Sequence, residues 1–210
     1  MKLISWNLLH RDGAGVVEVA ALINRYQPDL LLMQEVTELF HGLVPTVGGV
    51  FDREPLPGRA HGLAMWMPHR VARPPQIIAL PAGAVVRRVC QIVVLDGLTV
   101  ANVHLSHGQV LNRRQLRFIE RILPHHAALV GDFNMLGPAL LPGFHDAGPR
   151  EQTHRMSNLV PLRLDRCLIR GLVCTKSEVL PRGKSDHHPI MLQLEIASEI
   201  RHQQTSAGVP

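Results

Sequence analysis

Leu129-Val130-Gly131-Asp132-Phe133-Asn134 is a short apolar run that ends on a glycine and then presents an acid and an amide on either side of Phe133. Read as a buried strand, alternation sets Asp132 and Asn134 on one side and turns Phe133 to the other. A carboxylate and a carboxamide at the C-terminal end of a strand form a compact polar device: one accepts a proton, and the other orients a water or a phosphoryl oxygen. In isolation the fragment also reads as a turn behind a strand, because Gly, Asp and Asn are common turn residues. The neighbouring segments separate the two readings.

Just upstream, residues 111–123 have the spacing of a basic amphipathic helix carrying Arg113, Arg114, Arg117 and Arg121, closed by Pro124. Two β-rich runs, 88–95 and 98–105, meet at Asp96-Gly97, the strongest short-range hairpin signal in the chain. Further back, 2–9 reads as a strand, 16–26 as a helix stopped by Gln27-Pro28, and 29–33 as a fully buried strand, giving a βαβ-like opening. Thr37 is expected to cap a short helix to about Leu43, 45–60 to be surface loop, and 63–67 to be a strand. Downstream, 136–153 reads as irregular, 162–169 and 172–180 as an antiparallel pair turning at Arg170-Gly171, and 188–196 as a closing strand. No repeat or linker is evident. The pattern predicts one α/β or α+β domain over 1–196, with a flexible tail over 197–210.

Composition sets outer limits. A chain of 210 residues, 46% hydrophobic, fills one well-packed domain. No apolar run approaches the roughly 18 residues that cross a bilayer, and no small-residue cleavage site follows Met1. Cys90, Cys167 and Cys174 are odd in number and form no CxxC pair, which predicts free thiols in a reducing compartment and a cytoplasmic protein. The formal charge of +5, with a pI near 9.7, favours polyanionic partners. Eight aromatics argue against a surface of base-stacking platforms.

Polar residues recur at the ends of the expected strands: Asn7, Glu35, His104, Asp132 with Asn134, Asp165, and Asp186-His187. Ligand sites in open α/β sheets form at strand C-terminal ends. Singly, each has an ordinary explanation as a turn former, a helix-leading acid or half of an ion pair; as a set they point to chemistry. Glu35 and Asp186 offer hard oxygens and Asn7 a carbonyl oxygen, a donor set suited to Mg²⁺, with Mn²⁺ as the alternative, rather than zinc. Asp132 can hold or deprotonate a water that Asn134 orients, and His187 can stabilise a pentavalent phosphorus centre if Asp165 keeps its ring charged. That is metal-assisted hydrolysis of a phosphate ester.

At these positions the sequence resembles the endonuclease/exonuclease/phosphatase superfamily, with its deoxyribonuclease-I-like fold. The resemblance lies in Ser5-Trp6-Asn7, Gln34-Glu35, Asn102-Val103-His104-Leu105, Gly131-Asp132-Phe133-Asn134, Leu164-Asp165-Arg166 and Ser185-Asp186-His187-His188-Pro189. The six motifs stand in the family's order and span residues 2 to about 195. The resemblance implies a four-layer sandwich of two β-sheets flanked by helices, with the site at one end. It implies Glu35 as the principal metal ligand, with Asn7 beside it and Asp186 near the metal. Asp132 becomes the residue that activates water, Asn134 its neighbour on the phosphate, and His187 the phosphate-binding histidine paired with Asp165. His104 matches a histidine of deoxyribonuclease-like, sphingomyelinase-like and phosphotyrosyl-diesterase-like members, where abasic-site repair enzymes typically carry tyrosine. The segment Gly62-Leu63-Ala64-Met65 fits the third-strand motif only loosely, and the chain is short, so substrate-gripping insertions are expected to be trimmed.

The expected activity is a Mg²⁺-dependent phosphodiesterase or nuclease acting on DNA or another nucleic acid. A phospholipid, sphingomyelin-type or small-molecule diesterase is the alternative within enzymology, and a catalytically silent phosphate-binding scaffold is the alternative outside it. Arg113, soon after His104, is the expected contact to substrate phosphate. His188 is expected to face away from the site by alternation.

Overall fold

The structure, a computed structural model, describes residues 1–83, 86–156 and 160–197. The chain opens as expected: β1 (Lys2–Asn7), α1 (Val16–Tyr26) and β2 (Leu30–Val36), with β1 and β2 parallel from Leu3 opposite Leu30 to Asn7 opposite Gln34. Helix α1 stops where Gln27 turns left-handed (φ 47°) and donates its N–H to Ile23 O. A 3-10 turn, Glu38–Gly42, follows Thr37 and runs into the short helix α2 (Leu43–Val47). Pro45 is tolerated there because the N–H groups of a first helical turn have no intrahelical acceptor.

The stretch expected to be loop also contains a strand, β3 (Val50–Pro55), antiparallel to β4 (Gly62–Met67). Its own propensity is poor. Being an edge strand, it is held by the ladder to β4, and Pro55 sits at its end, where no ladder donor is lost. β5 (Gln76–Ala79) is likewise an unanticipated edge strand, paired to β6 (Val89–Leu95). β6 and β7 (Leu98–His104) form the hairpin over Asp96 (φ 48°) and Gly97 (φ 79°), the left-handed pair that a two-residue turn of this kind needs. Helix α3 (Gln109–Ile122) leads to β8 (Ala127–Asp132), parallel to β7. The segment expected to be irregular contributes only the two-residue β9 (His145–Asp146). β10 (His154–Met156) and β11 (Val160–Leu162) make a separate ribbon. β12 (Asp165–Arg170), β13 (Leu172–Val179) and β14 (Ile190–Ile196) complete the chain.

One expectation about these last strands is corrected. β12 and β13 do not pair with each other. β12 pairs with β8 and β9, whereas β13 pairs with β14 in the other sheet. The chain changes sheets at Gly171, whose φ of +65° and position against His125 leave no room for a Cβ, 2.5 Å from the His125 ring. The tail expected from residue 197 lies outside the described residues beyond Ala197.

The two mixed six-stranded sheets run β13-β14-β1-β2-β4-β3 and β5-β6-β7-β8-β12-β9. Alternation sorts their side chains into three apolar layers. Leu3, Leu30, Leu32, Met65, Ile190 and Leu192 from the first sheet meet Val100, Ala128, Val130, Cys167 and Ile169 from the second. The opposite faces carry Ile4, Leu31 and Met33 under α1, and Ala101, Val103 and Leu129 under Leu116 and Ile119 of α3. Helix, sheet, sheet, helix is therefore the layer order, the sandwich that the resemblance implied. Cys90, Cys167 and Cys174 are free, and burial pushes the Cys167 thiol well up. Among the described residues no helix is long and apolar enough to cross a membrane.

Candidate active site

The layer between the sheets is apolar for most of its length and turns polar at one end. The same period-2 alternation that points Leu3, Leu32, Val100, Val130 and Cys167 inward also points Ser5 and Asn7, Gln34, Asn102 and His104, Asp132, and Asp165 inward. The amides come first. Gln34 donates to Ser5 Oγ at 3.1 Å and to Asn102 Oδ1 at 2.8 Å. Asn102 donates to Ala64 O at 3.1 Å and to Gln91 Oε1 at 3.3 Å, and Gln91 donates to Asp52 Oδ1 at 2.7 Å. Gln34, Asn102 and Gln91 are fully buried, so this network joins both sheets beneath the site. Asn102→Leu leaves one of the two Gln34 amide N–H groups without its acceptor and is expected to cost about 2–3 kcal/mol, a buried donor left unpaired. Urea unfolding measures this, and a midpoint equal to the parent's would remove the network's structural role.

Above the amides lies the ionisable group of residues. The strand directions differ from the simple expectation. Asn7, His104 and Asp132 sit at C-terminal ends, but β12 and β14 run antiparallel to their neighbours, so Asp165 and Asp186-His187 come from N-terminal ends or the loop before one. Asp165 stands opposite Asp132 in the ladder, two inward carboxyl groups side by side. His187 lies against both, with Nδ1 donating to Asp165 Oδ2 at 2.8 Å and Nε2 3.7 Å from Asp132 Oδ2. Its main chain is fixed by Ser185 Oγ, which accepts its N–H, and by Trp6 Nε1, which donates to its carbonyl. Ser185 Oγ donates in turn to Asn7 O at 2.7 Å. Burial opposes charge on His187, yet Asp165 and Asp132 outweigh it and lift its pKa to about 10.

This shift has a consequence for stability. A histidine whose pKa rises from about 6.5 unfolded contributes stability that is complete below that value and is lost as pH climbs through about 10. In EDTA, the parent's melting temperature is expected to fall between pH 7 and 10.5 more steeply than that of His187→Gln. Parallel curves would show that the imidazolium contributes nothing.

Asp132 is held from several sides. Asn7 Nδ2 donates to its Oδ2 at 3.0 Å, the Asn134 N–H donates to its Oδ1 at 2.9 Å, and His104 Nε2 lies 3.4 Å from Oδ2. Burial raises the Asp132 pKa despite the opposing His187 charge. His104 is driven the other way, well below its ordinary value, by burial and by the neighbouring Arg88 and His187 cations. β8 ends at Asp132. Asn134, left-handed at φ 48°, donates its side-chain amide to Leu105 O, while Phe133 is buried in the core under α3. Asp132 and Asn134 thus share the cleft by a turn around Phe133 and not by continued strand geometry.

Glu35 and Asp186 lie in the same cleft, a cavity of about 350 Å³ lined also by Asn7, His104, Asp132, Asn134, His154 and His187. By simple alternation Glu35 would face α1. The irregularity between Gln34 and Val36, with Glu35 at φ 59°, turns it towards the cleft. Burial acts against its charge, but hydrogen bonds from the His10 ring and N–H outweigh burial and hold its carboxyl below the usual range. Asp186 is held low similarly by His154, whose Nε2 lies 3.3 Å from Oδ2, while the buried Oδ1 has no partner among the described residues.

These groups fit a hard divalent cation. Glu35 and Asp186 are ionised, and Asp186 holds an oxygen unspent. Asn7 Oδ1 accepts the Leu9 N–H at 3.2 Å and keeps one lone pair. His154, Asp186 and His187 also converge, with ligand atoms within 4.8 Å of one another. A charged His187 already donating to Asp165 is no ligand, so the carboxylates carry the fit.

Arg113 is not among the residues lining the cleft. It is exposed and folds back on Gln109, one turn earlier in α3. His188 faces away and bonds to Leu180 O, as alternation requires. Three residues escaped the sequence reading. Thr153 Oγ1 accepts the N–H groups of Leu164 and Asp165 and so sets the acid beneath His187. The His154 ring leans on His187, centroids 4.4 Å apart. Arg88 is 5% exposed with Nε and Nη1 unpartnered among the described residues. Burial pulls its pKa down while Asp132 and Glu35 pull it up, so its charge faces the site's acids. A lone arginine at a strand's start gives no such signal in sequence.

A profile of the Endonuclease/Exonuclease/phosphatase family matches residues 4–187. The chain belongs to this family. Family members are hydrolases of phosphate esters. No curated protein matches the chain. Solved structures do. D. rerio TDP2 humanized by 14 mutations superposes with a TM-score of 0.73 at 19% identity, over 93% of this chain and 98% of that one. D. rerio TDP2 complexed with a single-strand DNA product gives 0.72 at 18%, with the same coverage. A Beutenbergia cavernae endonuclease/exonuclease/phosphatase gives 0.74 at 18%, over 93% of this chain and 71% of that one. At such identities the likeness is one of fold, and it is to the deoxyribonuclease-I-like sandwich described above.

Proposed function

We propose that the protein is a divalent-metal-dependent phosphodiesterase that cuts nucleic acid. The observation that carries this reading is the buried line Asp165–His187–Asp132, which fixes an imidazolium beside a carboxyl group of raised pKa at the floor of an open cleft. The TDP2 structure holding single-stranded DNA and the family match support the nucleic-acid assignment.

Glu35, Asp186 and Asn7 would hold Mg²⁺ or Mn²⁺, which when bound neutralises phosphoryl oxygen charge. The remaining work falls to the chain itself. Asp132, whose pKa burial raises, accepts a proton from the attacking water, and the Asn134 N–H and Asn7 amide hold that carboxylate still. The water oxygen bonds to phosphorus, and the leaving oxygen departs with its bonding pair and is protonated from the solvent open to the cleft. Charge that builds on the phosphoryl oxygens is met by His187. Neutral His104 packs against Asp132 as a polar wall without competing for the proton.

Exposed Leu136 lines the cleft and exposed Val110 follows Gln109 of its lining, which favours a second reading, a lipid phosphodiesterase. Plasmid, single-stranded oligonucleotide, an aryl phosphodiester and lipid vesicles, each incubated with Mg²⁺ or Mn²⁺, separate the readings. Oligonucleotide cleavage is expected, abolished by EDTA and lowered about 10³-fold in Asp132→Asn by loss of the base. Hydrolysis confined to vesicles moves the substrate to lipid, and no hydrolysis of any ester with either metal overturns the enzyme.

A further inference from the structure

The outer face of α3 carries more cation than the fold requires. Arg113, Arg117 and Arg121 stand at i, i+4 and i+8 with Arg114 beside them, all exposed. None of the four takes part in an ion pair among the described residues. The helix's one acid, Glu120, is turned to Arg170 at 3.4 Å. A merely solvated helix face normally intersperses acids with its arginines, and this one does not.

The arginines line a groove of about 660 Å³ with Pro81 and Phe118. Arg117 also borders a second hollow of about 870 Å³ lined by Arg150, Arg163 and Arg166. Asp146 binds both Arg163 and Arg166, one acid for two guanidinium groups. The first groove meets the cleft at Gln109, which lines both, and Gly137 of the second hollow follows Leu136 of the cleft rim in the chain. Counted formally, Arg113, Arg114, Arg117, Arg121 and Arg150 equal the chain's whole surplus of +5, so the remaining sequence is balanced.

We infer that this face is a track for the sugar–phosphate backbone flanking the scissile bond of a nucleic-acid strand. The inference rests on the phosphodiesterase reading and deepens it by naming a polymeric substrate and the path it takes. Arg113 to Arg121 spans about 12 Å along the helix. A small diester or a lipid headgroup brings one phosphate, which ends in the cleft. Cations set in a row beyond it gain only from phosphates that continue along a chain.

The test uses a fluorescein-labelled single-stranded oligonucleotide in EDTA, so that it is bound and not cut, with anisotropy read over a salt series. Arg117→Ala/Arg121→Ala is expected to make log K against log salt shallower by about 0.7 for each arginine removed, with Kd raised about tenfold at low salt. Arg117→Lys/Arg121→Lys keeps the slope, because the contact is to charge. With metal, the ratio of oligonucleotide to aryl-phosphodiester cleavage falls about tenfold in the alanine pair. An unmoved slope and ratio overturn the track, as does a lysine pair as weak as the alanine pair, or capture by anionic vesicles with no oligonucleotide binding. If the slope moves as expected while the wild-type chain hydrolyses no ester, the track stands and the catalytic reading fails.

Discussion

His187→Ala is expected to lower phosphodiester turnover about 10³-fold, the scale on which a preorganised charged donor contributes to a developing oxyanion. The residue is charged at neutral pH because two carboxyl groups share it, and Asp165 is wholly buried. Removing the ring therefore also leaves a buried acid without its cation. Asp165 Oδ1 already has no partner among the described residues, and Oδ2 would lose the one it has there. A broken buried pair of this kind costs about 3 kcal/mol or more. Stability and turnover are separated by a second variant. In Asp165→Asn/His187→Ala the stranded charge is gone, so the melting temperature recovers part of the loss while turnover stays at the single variant's level. Measured kcat and thermal unfolding of both variants decide the matter. If His187→Ala retains turnover within about tenfold, the imidazolium is not the group that stabilises the transition state. If the double variant is the less stable of the two, Asp165 is not held by His187.

Gly131→Ala is expected to be strongly damaging although it adds a single methyl group. Gly131 has φ +138°, and a Cβ there would stand 2.0 Å from Val103 O and 3.0 Å from Val103 C. Those atoms belong to the neighbouring parallel strand, paired in register with Gly131 itself, and cannot swing aside as a flexible side chain can. Backbone strain of about 1–3 kcal/mol and overpacking of similar size together give a loss of about 4 kcal/mol. At this chain length that lowers the melting temperature by roughly 10 °C. Activity should fall too, because separating β8 from β7 draws Asp132 away from His104. Circular dichroism melts and aryl-phosphodiester kinetics read the two effects. A melting temperature within about 2 °C of the parent's, well under the shift expected for this cost, would show that the strands slide apart without penalty.

Much of the site was legible because strands have a period of two. Ser5 and Asn7, Asn102 and His104, and the acids at 132 and 165 interrupt apolar runs at positions that must share a face with Leu3, Val100, Val130 and Cys167. A polar residue placed there is either paired or costly. The hairpin at Asp96-Gly97 and the boundaries of α1 were equally plain, since local φ requirements and helical spacing are written in a few adjacent residues. What could not be read locally was supplied by neighbours. β3 and β5 are strands because an edge was available to them. β12 and β13 look like a hairpin across Gly171, yet each found a partner in a different sheet.

The sequence by itself determined most of the strands, the order of the motifs and the polar residues at the strand ends, because alternation and residue chemistry act within a few residues; the layers followed only from the family resemblance. Tertiary structure alone decided which oxygen of Asp165 meets His187, that Glu35 turns into the cleft through a strand irregularity, and that Arg88, Thr153 and His154 belong beside the site while Arg113 stands one helical turn outside it. Those outcomes depend on register between strands far apart in the chain and on charges converging through a dry interior. Both arise only once the two sheets have closed on each other.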